Sequence, residues 1–239
     1  MKNKLTVKQG IVGLVGVFAL VIAAAASQAV TVANASFENP SVASQPNGFE
    51  YDPTLAEQGG TGWSFHDDTT STNAPDGRFG IAANGGFLGG MFNAPDGTQA
   101  GLLQRISDME QSISGFSAGS YIVSFYAEGR NFNGVNGGAN PLQVSIDGTL
   151  LTFGISGNTI TPPVATTFTL YQSDPFTVAA GTHALEFSGT DAGFGGNSDL
   201  TSFIDAVSVT AIPEPTTFAL VMLGATALLF RRRRHARVL

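Results

Sequence analysis

The 239-residue chain contains no cysteine, which rules out disulfide staples, thiolate metal sites and cysteine nucleophiles together. Histidine is scarce: His66, His183 and His235 are the whole supply, and none stands at the i, i+4 spacing of a helical zinc site. Between residues 30 and 211 there is no lysine, and 17 Asp or Glu residues face only Arg78, Arg105 and Arg130, a net charge of −14. Phosphate backbones and anionic headgroups repel a body that acidic, so nucleic acid is excluded as a partner. Neutral glycans and divalent cations are the ligands this charge admits. The same stretch lacks a long apolar run and lacks any amphipathic helix of useful length.

What the middle lacks, the ends supply. Lys2, Lys4 and Lys8 precede an unbroken run of apolar residues and glycine from Ile11 to Ala26. This is the order of a signal peptide for the general secretory translocon, and Ser27-Gln28-Ala29 places the expected cut after Ala29. An uncleaved anchor is the alternative. At the other end Pro213-Glu214-Pro215 leads into an apolar stretch from Thr216 to Phe230, stopped by Arg231-Arg232-Arg233-Arg234. As a helix that stretch reaches about 22 Å, short of a hydrocarbon core of roughly 30 Å, so it spans only with local thinning of the bilayer. Each arginine costs about 2.5–3.5 kcal/mol at the bilayer centre, so Arg231, Arg232, Arg233 and Arg234 act as a cytoplasmic stop. Pro213 and Pro215 lack a backbone donor and hold Ile212 and Glu214 extended, a form that a processing enzyme can grip. The expected organisation is a leader over 1–29, an extracytoplasmic body over 30–211, and a tail over 212–239 with its transmembrane helix at 216–230.

The tripeptide, the apolar segment and the arginine cluster, in that order, resemble the PEP-CTERM sorting signal. The resemblance implies that a membrane-embedded exosortase recognises Pro213, Glu214 and Pro215. It also implies a Gram-negative bacterium that makes extracellular polysaccharide, transient anchoring in the inner membrane through the C-terminal helix, and a final place in the cell envelope or matrix. A plain membrane anchor is the other reading of the tail.

Through the body, short alternating runs are separated by Gly, Pro, Asn and Asp, the pattern of a sandwich or barrel. Tyr121–Ala127 reads as a strand. Leu142, Val144 and Ile146 alternate with polar residues before Asp147-Gly148 turns the chain into 149–153. Residues 168–172, 175–178, 183–188 and 202–210 each fit a strand, giving an all-β jelly-roll sandwich of about eight antiparallel strands. Gly85–Gly90 has no following Gly-Lys-Ser/Thr and reads as a turn, not a phosphate cradle. Asn73-Ala74-Pro75-Asp76-Gly77 recurs at Asn93-Ala94-Pro95-Asp96-Gly97 and reads as a pair of similar turns.

Three stretches are similar to galactose-binding-like jelly rolls, the scaffold of many carbohydrate-binding modules: Asn34–Glu38 with Gly62-Trp63 after it, Ala118–Tyr121 entering a strand, and Phe203–Val209 at the end. That resemblance implies a structural calcium ion shared by Glu38 and Asp205. Simple alternation puts Asp205 on the same face as Phe203, Val207 and Val209, where a carboxylate needs a partner or a metal. Backbone hydrogen bonds at a strand edge are the competing explanation. Trp63, Tyr126 and Arg130 are the candidate sugar contacts, with a core role for Trp63 and a solvated loop charge for Arg130 as the plainer alternatives. His183 shares a face with Leu185 and Phe187 and reads as a buried, hydrogen-bonded histidine. No catalytic motif appears, and a chance pair among so many acids means little. The expected function is a non-catalytic surface or matrix protein associated with extracellular polysaccharide. The alternatives are a self-associating structural matrix protein and a polysaccharide-active hydrolase.

Overall fold

Alternation produces the central strands. In Tyr121–Ala127 the residues Tyr121, Val123, Phe125 and Ala127 are buried while Ile122, Ser124 and Tyr126 are half-exposed, so one edge of the pleat enters the core. The computed structural model describes residues 29–51, 62–67, 77–86, 90–131, 138–164, 167–190 and 200–213. The expected leader up to Gln28, the residues Glu214 and Pro215, the helix at 216–230 and Arg231–Arg234 lie outside them. Among the described residues no helix is long and apolar enough to cross a membrane.

The described strands are β1 (Ala29–Val30), β2 (Phe49–Tyr51), β3 (Ser64–Asp67), β4 (Gly77–Ala83), β5 (Gln99–Arg105), β6 (Ser107–Phe116) and β7 (Gly119–Gly129), followed by β8 (Leu142–Ile146), β9 (Thr149–Leu150), β10 (Thr169–Gln172), β11 (Phe176–Val178), β12 (Gly181–Gly189) and β13 (Thr201–Ala211). They form an eight-stranded sheet, in the order β10-β7-β13-β5-β4-β2 with β1 also on β13 and β11 also on β7, and a five-stranded sheet in the order β3-β6-β12-β8-β9. All pairings between these strands are antiparallel. The chain folds as a jelly-roll sandwich, with several strands of two to four residues beyond the longer ones that alternation marks out.

Phe125, Val207 and Val209 from the larger sheet meet Met109, Leu185 and Phe187 from the smaller one in the main core. Phe37 enters that core from the loop after β1. Its ring stacks on Trp63 at 5.3 Å, and Trp63 packs edge-on to Phe187 at 6.0 Å. Gly101 makes room for the ring of Phe37, since a Cβ there would sit 2.7 Å from it.

Asp205 departs from simple alternation. The register of β13 against β7 shifts between Asp205 and Ser208, with Ala206 at φ 50°. This bulge inserts one extra residue and flips the faces on either side of it. Ile204, Val207 and Val209 therefore point into the main core, while Phe203 lies in a second apolar cluster on the outer face. Asp205, two residues from Phe203, belongs with that outer face and pairs with Tyr126; it does not share the side of Val207 and Val209.

Candidate functional site

The outer face of the larger sheet is apolar across its middle: Ala82, Ala100, Leu102 and Phe203 are buried there, with Phe49, Tyr51 and Phe168 at the margin. Such a face needs a cover, and the connection between β4 and β5 supplies it. Met91, 1 % exposed, inserts from this connection into the cluster. The turn that follows, Asn93–Gly97, is the second copy of the repeated sequence. Ala94 donates its N–H to Asn84 Oδ1 at 2.7 Å, and the backbone N–H of Asn84 donates to the carbonyl of Thr98 at 2.8 Å, closing the loop's neck.

Two carboxylates pin this loop to the sheet. Glu128 Oε1 accepts the N–H of Phe92 at 2.8 Å, and Asp205 Oδ2 accepts the N–H of Asp96 at 2.8 Å. Both residues are 0 % exposed. Burial pushes the Glu128 carboxyl up to about 7, against the lowering effect of the Phe92 N–H. Burial likewise pushes Asp205 up to about 7; the N–H groups of Asp96 and Ala206 oppose the shift, and the charges of Asp96 and Glu38 add to it.

Glu38 belongs to the same neighbourhood. Its Oε1 accepts the backbone N–H groups of Thr98 and Gln99, both at 2.7 Å, and its Oε2 accepts the Thr98 hydroxyl at 3.0 Å. Gly97 passes so close that a Cβ would collide with this carboxylate, and its φ of 84° suits glycine. Ser36 donates its hydroxyl to Asp96 Oδ2 at 2.5 Å. The structure thus brings together the two predicted metal residues and adds a third acid, Asp96. None of the three has a cationic partner among the described residues. As placed, no group of three His, Asp or Glu side chains among the described residues converges tightly enough to hold a metal.

Next to Thr98 the surface opens into a groove of about 530 Å³ lined by Ala43, Asn47, Gly48, Asn84, Gly85 and Thr98, among others. Every described residue of its lining is uncharged. One wall is fixed by Glu38 through Thr98, and another by the close packing of Gly48 against Gly86.

The sugar-contact expectations need correction. Trp63 is 2 % exposed, stacked in the core, with its indole N–H donated to the carbonyl of Asn34 at 3.1 Å, so it offers no face to a ligand. Arg130 is 3 % exposed, neither a surface contact nor a solvated loop charge. Its backbone leaves β7 beside Thr201, whose carbonyl accepts the Arg130 N–H at 2.9 Å. Tyr126 alone of the three stays half-exposed, on the outer face opposite Asp205 and Leu170. Asp96, Glu128 and the groove escaped sequence reading. Their one visible signal was the repeated turn, whose second copy carries Asp96 and Gly97.

His183 is hydrogen-bonded as expected, but it is half-buried, not buried. Its Nδ1 lies 2.6 Å from Asp147 Oδ2 and its Nε2 lies 3.0 Å from the carbonyl of Ala179, and its ring packs edge-on to Phe116. Both partners are acceptors, an arrangement that favours the doubly protonated ring. The bond to Asp147, and then the one to Ala179, raise its pKa.

Comparison with known proteins agrees with the tail. Residues 211–234 match the PEP-CTERM protein-sorting motif. That signal implies recognition by an exosortase and export to the cell envelope or the extracellular space. No curated protein sequence matches the chain. Among solved structures, the chain is similar to a Stig cyclase, Fisc, from Fischerella sp. TAU (14 % identity, 78 % of this chain and 98 % of that one, TM-score 0.49). It is also similar to TmCBM61 in complex with β-1,4-galactotriose (14 % identity, 63 % and 88 %, TM-score 0.42). A third likeness is to the CBM22-1 xylan-binding domain of Xyn10C from Paenibacillus barcinonensis (13 % identity, 64 % and 86 %, TM-score 0.38).

Proposed function

We propose that the protein is a non-catalytic component of a Gram-negative envelope or extracellular matrix, and that its sandwich contacts a neutral polysaccharide in the groove beside Thr98. The observation that carries this reading is the chemistry of that groove. In a body of net charge −14, the described residues that line the groove offer amides, a hydroxyl, small methyl groups and glycine backbone. Such a surface hydrogen-bonds hydroxyls and has no charge with which to hold an ionic ligand. A sorting signal that places the body outside the cytoplasm puts it where polysaccharide is found.

One calcium ion belongs to the proposal. Glu38, Asp96 and Asp205 supply uncompensated negative charge and oxygen donors of the kind calcium takes. The fit is in charge and donor type, and the side chains must shift to converge. A bound ion would replace the proton on Asp205 and fix Thr98, and through it the groove wall. A non-catalytic role is supported by the burial of both acids with raised pKa: a carboxyl poised near neutrality is the usual mark of a general acid, but Glu128 and Asp205 are sealed from substrate.

Affinity electrophoresis of the exported protein through gels containing neutral or acidic polysaccharides tests the reading. Retardation by a neutral glycan is expected, lost when Ala43→Trp fills the groove and weakened by Asn47→Gly, which keeps the backbone conformation (φ 66°) while removing the amide. No retardation in any glycan, combined with concentration-dependent assembly, would favour the self-associating matrix protein instead. Release of reducing sugars would point to the hydrolase.

A further inference from the structure

The sorting motif has no spacer. Its match begins at residue 211, and Ala211 is the last residue of β13, paired with Tyr121 of β7. Ile212 still donates its N–H to the carbonyl of Ser120 at 2.8 Å, and the tripeptide begins at the next residue, Pro213. An extended residue advances the chain by only about 3.3 Å. An enzyme that grips the tripeptide therefore reaches the end of the sandwich.

That end has an unusual composition. Two turns border the exit of β13: Ser117-Ala118, leading into Gly119 at the start of β7, and Ala179-Ala180, leading into Gly181 at the start of β12. They adjoin, since Val178 pairs with Gly119 and Gly181 with Phe116. All six residues are small and uncharged in a body that carries 17 acids. Asp147 is held against this end with its charge partnered: His183 lies 2.6 Å from it and also bonds to the carbonyl of Ala179. An acidic protein approaching an anionic membrane surface meets least repulsion, and loses least hydration, through such a face.

We propose that this end of the sandwich, formed by residues 117–119 and 179–181, is the face that meets the exosortase at the membrane while the tail is processed. The proposal rests on the sorting reading of the tail. The sorting enzyme therefore takes its substrate as a folded end with a strand emerging from it, and the neutrality of the two turns is a requirement for processing.

The test uses the full-length chain in a host with an exosortase, with mass spectrometry reporting the fraction that retains residues 216–239. Ala118→Glu combined with Ala180→Glu places two charges at exposed turn positions and is expected to lower the processed fraction several-fold. Thr161→Glu, equally exposed but beside the Ile160–Leu142 bridge at the opposite end, should leave it unchanged. Inserting about eight Gly/Ser residues between Ile212 and Pro213 moves the sandwich roughly 15 Å away and should restore processing of the charged variant. Processing of the charged variant at the wild-type level, or failure of the spacer to rescue it, overturns the docking face. Glu214→Ala keeps the two readings apart: if the tail is lost as before without the motif, or if the wild-type tail is never processed, the sorting reading falls and takes the docking face with it.

Discussion

On the outer face of the five-stranded sheet, Asp108, Glu110 and Glu186 stand half-exposed, Glu110 directly opposite Glu186 and Asp108 capped by His66 at 2.8 Å. On the outer face of the eight-stranded sheet, Glu128 and Asp205 are fully buried beneath the β4–β5 connection and bonded to its backbone. Strand alternation places acids on both faces in the same way. What separates them is the cover. Where water is the neighbour, an acid is one polar residue among others. Where a loop is laid across the sheet, an acid becomes the fastening for that loop, and its affinity for protons rises with its burial.

The largest effect should come from the apolar residue between the two buried acids. Phe203→Ala is expected to cost about 3–5 kcal/mol in urea unfolding, because it opens a cavity beneath Met91. A loss below about 1 kcal/mol would mean that the connection covers nothing. Calcium is next: at a hundredfold excess over its dissociation constant it should add about 2.7 kcal/mol, seen as a higher Tm that a chelator reverses. An unchanged melt, together with a neutral Glu38→Ala, would remove the ion. Gly97→Ala should then cost about 1–3 kcal/mol, since it combines a left-handed backbone with a collision against Glu38.

A smaller effect separates proton from metal. The folded-state pKa values of Glu128 and Asp205 lie above their unfolded values, so the stability they contribute is present in acid and lost as pH rises through about 7. His183, also raised, acts in the same direction. Without calcium, urea midpoints should therefore fall between about pH 5 and pH 8, and Glu128→Gln should flatten this fall without abolishing it. With calcium the trend should weaken or reverse, because the ion binds the deprotonated carboxylates. The smallest effect belongs to the open face: Glu186→Gln removes one of two opposed like charges and should change stability by no more than about 0.5 kcal/mol, towards greater stability. A large loss there would erase the contrast between the faces.

Legibility in the sequence followed the same line. β7, β8, β10, β11, β12 and β13 were visible because their alternation survives or turn residues bound them. β4 and β5 were not. Gln99–Arg105 is buried at almost every position, on one side by the core and on the other by the loop, so it shows no period of two. β6 does alternate, but its inward positions include Ser107 and Gln111, the latter bonded through its side chain to both backbone groups of Ala33, so its apolar signal is diluted. Glu38 and Asp205 could be linked through the resemblance of their motifs. The side of the sheet on which Asp205 stands could not, because one left-handed residue, Ala206, resets the parity after it. Trp63 and Arg130 failed as contacts for a general reason: residue type suggests what a side chain can do, and only the fold decides whether anything can reach it.

The place of β13 has a consequence for how the molecule is made. It is the last strand of the body, yet it lies inside the larger sheet, with β7 along one side and β5 and β1 along the other. Until residues 201–211 emerge, two bare strand edges wait for a filler that does not yet exist. The larger sheet therefore cannot be completed before residues 201–211 are available, and these run directly into the sorting motif at 211–234.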